Sequence, residues 1–486
     1  MVKICIIGCG TYGAYLLRRV IENYGNEVDI TVIEMGNEKT KSESEMGVVA
    51  ESKESHAAEK GRYFGLGGTS ARWGGQVLFF DERDNPTNQK DWNTIVDVNK
   101  QYRSIVLKNL VGFENLRGLD DKGIEKTGIW LKYTKRNIFK GLDKKALSSV
   151  NLIKNTRVTD FNFEDSTIKS VICSDAEGNK KTIEADIFYL TAGAIESCRL
   201  LIAMNEKHKI ITSTDLGKHY GDHLSVELFK IKGHPPVIYK TNFVPNIING
   251  SLITKRWIVA DSDNRIGFAH PIFNKEVKVF TSIKRLLFGK QQIDFNLKDV
   301  VEGFEFLIRF GYNVLIKKKM YAHRNNWSIQ LDIEQAYPNG NSIGLSKQTD
   351  KYGEKAARLN WHVSEEDKKS IVEIKNNLIK LLDKEDIKYE VVYDPNIESM
   401  KIEDVYHPVG FLRIGHDENA VLDTNCRVRG IDNLYHFSTA MFPSAKSINP
   451  TAAGFCFIEQ YLFDSFQLTV DSEVQTVNQQ LSTTIN

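Results

Sequence analysis

The order of apolar and polar positions predicts a strand and helix unit at the N-terminus. Residues 3–7 (KICII) form a short apolar run, which is typical of a strand buried in a parallel sheet. Residues 14–22 have the spacing of a helix, and the apolar run at residues 29–33 (DITVI) predicts a second strand that ends at Glu34. The pattern therefore predicts strand, turn, helix and strand in succession.

The turn between the first strand and the helix has the glycine spacing G-x-G-x-x-G. Its glycines permit a tight turn, close approach of a pyrophosphate and close packing of the helix. The helix N-terminus offers N–H groups to phosphates, and the Glu34 carboxylate can accept ribose hydroxyls and repel a 2′-phosphate. The alternative interpretation is an ordinary strand, turn and helix whose glycines serve only packing. The spacing predicts a dinucleotide, NAD or FAD, bound by Gly8, Gly10, Thr11, Tyr12, Gly13 and Glu34.

Two further segments have the composition of ligand-binding turns. Residues 61–75 (GRYFGLGGTSARWGG) contain six glycines and suit backbone lying against a flat ligand, whereas their aromatic side chains argue against a flexible linker. A predicted strand at residues 187–191 runs into Ala192-Gly193 and a helix at residues 198–204. A second helix N-terminus would then point toward the same ligand, although a plain βα unit also fits.

These segments resemble signatures of the glucose–methanol–choline (GMC) family of FAD-dependent oxidoreductases. The likeness lies in GLGGTSARWGG, in TAGAIESCRLL (residues 191–201) and in a long stretch from YHPVG (residues 406–410) to SINPT (residues 447–451). It touches about residues 1–80, 150–226 and 330–465 and implies FAD rather than NAD. The further cofactor contacts that it implies are Gly68, Thr69, Ser70, Arg72, Trp73, Gly74, Gly75, Val158, Ala192, Gly193, Glu196, Ser438, Thr439, Asn449, Pro450 and Thr451.

The resemblance also implies how the cofactor is held. Some members carry a histidine in the glycine-rich segment that bonds covalently to the flavin, and Arg72 stands in that place here. Arginine cannot make this bond, so we expect noncovalent FAD. Two positions depart from the family pattern near the cofactor: Ser438 replaces an aspartate, and Phe411 replaces a threonine.

By the same resemblance, His407 and Asn449 form a catalytic pair that faces the flavin. An imidazole can take the hydroxyl proton of an alcohol, and the Asn449 amide can donate to the developing alkoxide and orient the C–H bond. The flavin N5 accepts the hydride. The implied activity is oxidation of an alcohol, with a sugar or polyol hydroxyl as the best estimate of the substrate, and an electron acceptor that the sequence does not identify.

The predicted fold class is α/β, with two domains. The FAD-binding domain is Rossmann-like, with a doubly wound, mostly parallel sheet, and is assembled from residues 1–90, 150–226 and 405–468. Residues 91–149 and 227–404 form an α+β substrate domain with a largely antiparallel sheet. The polar tail, residues 469–486, is expected to be disordered, and polar residues 36–61 are expected to form a long surface connection.

The composition limits the expected partners and location of the protein but does not change the predicted fold or activity. The chain has 486 residues, 41% of them hydrophobic and 26% charged, with a formal net charge of +1, so nucleic acid is not an expected partner. No apolar run approaches the length of a membrane span, and a strand at residue 3 leaves no room for a signal peptide. Six scattered cysteines fit free thiols in a reducing cytoplasm. The oligomeric state stays open.

Two segments have competing interpretations. Residues 296–323 look helical, with FEFLIRF before a lysine run, and we favour a core-facing helix over a basic helix that touches a membrane. His219 and His223 could share a helix face and bind a metal, but Gly221 lies between them, and we expect no metal site.

Three other functions fit parts of the sequence. A flavin-containing lyase or isomerase would keep the fold without net oxidation. A nicotinamide-linked flavoprotein reductase would need a second G-x-G-x-x-G and often a cysteine pair, and the sequence has neither. A non-catalytic, FAD-stabilised partner protein would bind the cofactor without using His407.

Overall fold

The computed structural model describes most of the chain. The described residues are 1–48, 50–52, 54–55, 61–113, 121, 123–231, 245–248, 250–273, 301, 308, 311–316, 318, 327–392 and 400–464.

The strands of this part of the chain alternate with a smaller number of helices. In the first half they are β1 (Val2–Ile7), β2 (Val28–Ile33), β3 (Lys41–Ser42), β4 (Tyr63–Phe64), β5 (Gln76–Val77), β6 (Glu125–Trp130), β7 (Val150–Ile153), β8 (Thr156–Glu164), β9 (Thr167–Asp175), β10 (Lys180–Glu184) and β11 (Ile187–Leu190). They continue as β12 (His223–Ile231), β13 (Asn246–Ile248), β14 (Ser251–Ala260), β15 (Ile266–Phe273), β16 (Trp327–Glu334), β17 (Ser342–Thr349), β18 (Lys355–Asn360), β19 (Tyr389–Val391), β20 (Glu403–Asp404) and β21 (Leu434–His436). The helices are α1 (Thr11–Tyr24), α2 (Glu43–Met46), α3 (Lys90–Leu110), α4 (Ala194–His208), α5 (Glu365–Lys384) and α6 (451–464).

A parallel sheet carries the N-terminal unit. Its strand order is β21-β11-β1-β2-β7, and every pairing in it is parallel. β1 is central, which explains its apolar sequence, since Ile4, Cys5, Ile6 and Ile7 are all buried. The predicted strand, helix and strand at the N-terminus are confirmed, with the helix longer than expected because it begins at Thr11.

An antiparallel sheet forms the second layer of the fold. Its order is β19-β12-β16-β15-β14-β6-β5, with β13 added beside β14 and β20 beside β12. The fold class is therefore confirmed as mixed α/β, with a Rossmann-like parallel sheet and a largely antiparallel one. A separate antiparallel meander, β8 to β10, includes a hairpin turn after Asp175, which the turn-forming residues 175–178 (DAEG) predict. The exact domain boundaries stay a prediction.

Close contacts fix the glycine turn against its neighbours. Gly8 has φ +93°, and a Cβ on Gly13 would lie 1.9 Å from the carbonyl oxygen of Gly8. The start of α1 also packs on α6, because the Tyr15 ring stacks on Phe455 with centroids 4.2 Å apart. Residues that are 440 positions apart in the sequence therefore meet beside this turn.

The predicted surface connection at residues 36–61 is wrong for part of its length. The described part contains β3 and α2, and Met46 and Val48 pack with Met35 and Phe64 in a small buried cluster. A capping box, in which Ser42 accepts the backbone N–H of Glu45, starts α2. Its few apolar positions are too sparse to stand out from the polar sequence.

Other predictions have mixed outcomes. In the sequence, Ser364 with Asp367 three residues later predicts an N-cap, and in the structure Ser364 caps α5 in a capping box with Asp367. Most of residues 296–323 and all of residues 469–486 lie outside the described residues. Within the former segment, Ile308, Tyr312 and Leu315 are exposed, which does not fit a core-facing helix. In the described part of the chain, the helices are too short or too polar to cross a bilayer.

Replacing Gly13 by alanine tests the packing of the glycine turn. We expect Gly13→Ala to lower the free energy of unfolding by about 2–3 kcal/mol, since the added methyl would overlap the Gly8 carbonyl oxygen. Gly141→Ala is the control, because a Cβ there meets no atom within 4 Å. Urea unfolding of both variants decides the point, and equal stability of the two would contradict the packing role.

Candidate functional site

A long cleft opens at the carboxyl ends of the parallel strands, with about 1270 Å³ of empty space. It runs from Glu34, which follows β2, to Tyr406 and Pro408 in the C-terminal stretch. The edge where parallel strands end is the usual ligand site of such sheets. The predicted residues that line the cleft are Gly8, Gly10, Thr11, Tyr12, Glu34, Gly68, Thr69, Val158, Ala192, Gly193, Glu196, Ser438, Thr439 and Thr451.

The Glu34 carboxylate joins three segments at one end of the cleft. It accepts the backbone N–H groups of Cys9 at 2.7 Å, Gly36 at 2.8 Å and Gly65 at 3.0 Å. Burial raises the pKa of Glu34, and these backbone donors oppose the shift. Glu34 also lines the cleft, so a ligand bound there would lie against its side chain.

Two helices begin at the cleft without a capping side chain among the described residues. Gly10 is the N-cap of α1, and Gly193 is the N-cap of α4. Glycine supplies no side-chain acceptor, so the first N–H groups of both helices are left to a ligand. A third helix, α6, starts beside them, where the Tyr12 hydroxyl donates to the Thr451 carbonyl oxygen at 3.1 Å. This set of helix N-termini fits the phosphates of a dinucleotide.

Arg62 is a cleft residue that the sequence reasoning missed. Its guanidinium donates through Nε to Glu43, while its two terminal nitrogens are buried and have no hydrogen-bond partner in the described structure. Burying N–H groups without a partner is costly, and an anionic ligand in the cleft would supply one. Only its position within the glycine-rich residues 61–75 could have pointed to it.

Glu196 lies at the start of α4 within a buried ion-pair network. Arg157 and Arg199 both donate to its carboxylate at 2.9 Å. These two guanidinium groups oppose desolvation and lower the pKa of Glu196 to about 2. The network holds Arg157 and Val158 of β8 against α4, so it shapes the wall of the cleft.

The C-terminal wall of the cleft contains Ser438 and Thr439. The Leu190 carbonyl oxygen can only accept, so Nδ1 of His436 donates to it at 2.8 Å. Burial lowers the pKa of His436 to about 4, which keeps the ring neutral, and its Nε2 then accepts the Ser438 hydroxyl at 2.7 Å. The hydroxyl of Ser438, which stands at the position of the family aspartate, therefore donates its hydrogen bond to His436.

His407 and Asn449 lie next to the cleft rather than in its lining. Their neighbours Pro408 and Thr451 do line it. The Asp222 carboxylate accepts the backbone N–H of His407 at 2.9 Å, which fixes the backbone of His407 beside the start of β12. Burial and the adjacent His223 lower the pKa of His407 to about 3. The imidazole is therefore neutral at pH 7.

A buried arginine orients Asn449. Arg256 of β14 donates to Oδ1 of Asn449 at 2.8 Å and to Oε1 of Gln76 at 2.5 Å. The amide oxygen of Asn449 is thereby occupied, and its NH₂ group is left to donate. Burial lowers the pKa of Arg256 to about 9, so it still carries its charge at pH 7. The sequence gave no signal for Arg256, which lies in a strand far along the chain.

One face of the antiparallel sheet is polar beside this pair. Asp332 accepts hydrogen bonds from Ser225 at 2.5 Å and from His270 at 3.1 Å. His223 and Arg256 share this face, and both pack on the Phe268 ring. The wall next to His407 and Asn449 therefore combines charge with hydrogen-bonding groups.

Several predicted cofactor contacts lie outside the cleft lining. Arg72 is exposed, with its guanidinium over the Tyr63 ring, and Trp73 donates to the Arg136 carbonyl oxygen. The others that lie outside it are Gly13, Ser70, Gly74, Gly75 and Pro450. The backbone N–H of Ser70 donates to the Thr11 hydroxyl at 3.1 Å, so this residue joins the glycine-rich segment to the start of α1.

His219 and His223 do not share a helix. His219 lies in a turn with φ +62°, and His223 begins β12. Within the described residues, no cluster of three or more histidine, cysteine, aspartate or glutamate side chains is placed to hold a metal ion. All six cysteines are buried and free.

Comparison with known proteins supports these findings. Residues 338–456 match the family model for GMC oxidoreductase. No curated protein matches the chain by sequence. Among solved structures, the chain is similar to pyridoxine 4-oxidase from Mesorbium loti, with a TM-score of 0.60 and 14% identity, over 96% of this chain and 99% of that one. At this identity the likeness establishes the fold.

Proposed function

Since the chain belongs to the GMC oxidoreductase family, whose model it matches over residues 338–456, we propose that it oxidises an alcohol to a carbonyl with FAD. The observation that supports this most is that Pro408 and Thr451, which are close in sequence to His407 and Asn449, both line the cleft. Arg256 donates to the amide oxygen of Asn449, which leaves the NH₂ group of Asn449 to donate to a substrate. No described residue hydrogen bonds to Nε2 of His407, which leaves this nitrogen to a substrate.

In the proposed reaction, His407, Asn449 and Arg256 have separate roles. His407 takes the proton of the substrate hydroxyl, and Asn449 donates to the oxygen as negative charge develops on it. The bound flavin supplies the hydride acceptor, so the alcohol loses one proton and one hydride and becomes a carbonyl. Arg256 adds positive charge next to Asn449, which favours the alkoxide form of the substrate.

The cleft residues fit an FAD molecule whose adenine end lies at Glu34. The Glu34 carboxylate would lie against the ribose hydroxyls, and the uncapped starts of α1 and α4 would bind the pyrophosphate together with Arg62. Val158 and Glu196 would line the adenine side. Ser438, Thr439 and Thr451 would lie along the flavin side, close to His407.

We propose that this FAD is noncovalent. Arg72 is exposed and cannot bond to a flavin, and no histidine or cysteine belongs to the cleft lining in the described residues.

Denaturation of the yellow protein tests the noncovalent state. We expect acid precipitation to leave the flavin in the supernatant and a colourless pellet, because only hydrogen bonds and charge hold it. Mass spectrometry of the intact polypeptide should show no flavin adduct. A yellow pellet would contradict noncovalent binding.

A sugar or polyol hydroxyl is the proposed substrate class. The polar face of the antiparallel sheet supports it, because Asp332, His270 and Ser225 offer hydrogen-bonding groups beside the catalytic pair. The structural likeness to pyridoxine 4-oxidase makes an aromatic primary alcohol the natural comparison in a test.

Anaerobic mixing with a panel of alcohols tests the reaction. We expect a sugar or polyol to bleach the flavin absorbance, and pyridoxine and simple aliphatic alcohols to do so at least about tenfold more slowly, since they present fewer aliphatic hydroxyls to the polar wall. Readmitting air, or adding a dye, then separates oxygen from another electron acceptor. If no alcohol reduces the flavin, a lyase, an isomerase or a non-catalytic protein replaces this proposal.

Removing the imidazole tests His407 as the base. We expect His407→Ala to stay yellow and to reduce its flavin about 100-fold or more slowly, in line with the loss of a general base. His416→Ala is the matched control, since His416 bonds to Asp91 outside the cleft lining. Stopped-flow absorbance gives both rates, and an unchanged rate in His407→Ala would rule out the base.

A further inference from the structure

His223 makes a direct ring-to-ring contact with His407. The two Nδ1 atoms are 3.0 Å apart, and the rings are perpendicular with centroids 5.1 Å apart. A hydrogen bond between two imidazole nitrogens needs one protonated and one bare nitrogen. Which ring donates therefore decides where the proton of His407 lies.

The other nitrogen of His223 settles the direction of this bond. Its Nε2 lies 2.7 Å from the carbonyl oxygen of Lys446, which can only accept, so Nε2 carries a hydrogen. The ring is fully buried and packs edge-on against Phe268. Burial lowers the pKa of His223 to about 4, so the ring is neutral and has only this one hydrogen. Its Nδ1 must then accept.

Three charged groups near His223 affect its pKa without bonding to the ring. Asp332 and Asp84 oppose the lowering of its pKa, whereas Arg256 reinforces it. None of these three shows a hydrogen bond to the ring, so the Lys446 carbonyl and His407 are its polar contacts in the described structure.

We propose that His223 is a positioning residue, which holds His407 in the tautomer with hydrogen on Nδ1 and leaves the Nε2 lone pair free as the base. The inference rests on the proposed function, in which His407 takes the substrate proton. When Nε2 takes that proton, His407 becomes an imidazolium and its Nδ1–H bond to the neutral His223 becomes charge-assisted. His223 thus stabilises the protonated base without touching the substrate.

The neighbouring Asp222 completes the same device. Its carboxylate accepts the backbone N–H groups of both His223 at 2.7 Å and His407 at 2.9 Å. Adjacent residues of one segment therefore fix the backbone and the ring of His407. This gives a role to the sequence GDH at residues 221–223, in place of the metal site weighed for its histidine.

Nitrogen NMR of the FAD-loaded enzyme, labelled with ¹⁵N-histidine, tests the tautomer directly. Protonated and bare imidazole nitrogens have well-separated shifts, and the His407 signals are those lost in His407→Ala. We expect a protonated Nδ1 and a bare Nε2 in the native protein. A protonated Nε2 on neutral His407 would overturn the proposal. This result does not depend on turnover, so it stands or fails separately from alcohol oxidation.

Two isosteric variants test the contribution to the rate. His223→Asn places an amide oxygen near the position of Nδ1 and can still accept from His407, whereas His223→Gln places its amide near Nε2 and keeps only the bond to Lys446. We expect flavin reduction to fall about 10- to 100-fold in His223→Gln and no more than about fivefold in His223→Asn. In a His407→Ala background, His223→Gln should change the rate less than about twofold.

Equal losses in the two variants, or an unchanged His407 tautomer in His223→Gln, would show a purely structural residue and overturn the proposal. Thermal unfolding and the flavin spectrum of each variant separate loss of folding from loss of positioning. If His223→Gln does not bind FAD, the NMR spectrum of the native protein still decides the tautomer.

Discussion

The network of hydrogen bonds around the Glu34 carboxylate is the interaction on which the glycine-lined part of the cleft depends. Its oxygens accept N–H groups from the first glycine turn, from its own strand end and from the glycine-rich segment, through Cys9, Gly36 and Gly65. The Thr11 hydroxyl joins two of these segments as well, but Glu34 is bonded to all three. A single buried carboxylate supplies the negative charge that their converging N–H dipoles require, and burial makes each of these bonds stronger than it would be in water.

The same principle operates at the opposite end, where side chains are held by groups that do not face the cleft. Arg256 fixes the amide of Asn449, Asp222 fixes the backbone of His407, and His223 fixes its ring. Each supporting group comes from β12, β14 or the residue before β12, so the antiparallel sheet sets the geometry of residues near the C-terminus. A rigid sheet is well suited to this, because its register leaves little freedom in the distance between groups on one face.

The sequence predicted the parts of the fold that local physics controls. The G-x-G-x-x-G turn, the strands at its sides and the Ser364 cap follow from backbone freedom, burial pattern and side-chain capping within a few residues. The small cluster around Met46 was missed because its apolar residues are separated by charged ones. Arg62 and Arg256 were missed because one arginine among 64 basic residues has no local feature that marks its guanidinium nitrogens as buried.

By itself, then, the sequence determined the glycine turn between β1 and α1 and which histidine and asparagine resemble a catalytic pair. The tertiary structure decided what surrounds them. His223 and His407 are 184 positions apart, and Arg256 and Asn449 are 193 apart, so no periodicity or spacing records either contact. Such contacts depend on strand order and register, which result from the packing of the whole core, whereas a glycine turn depends on the steric freedom of its own residues.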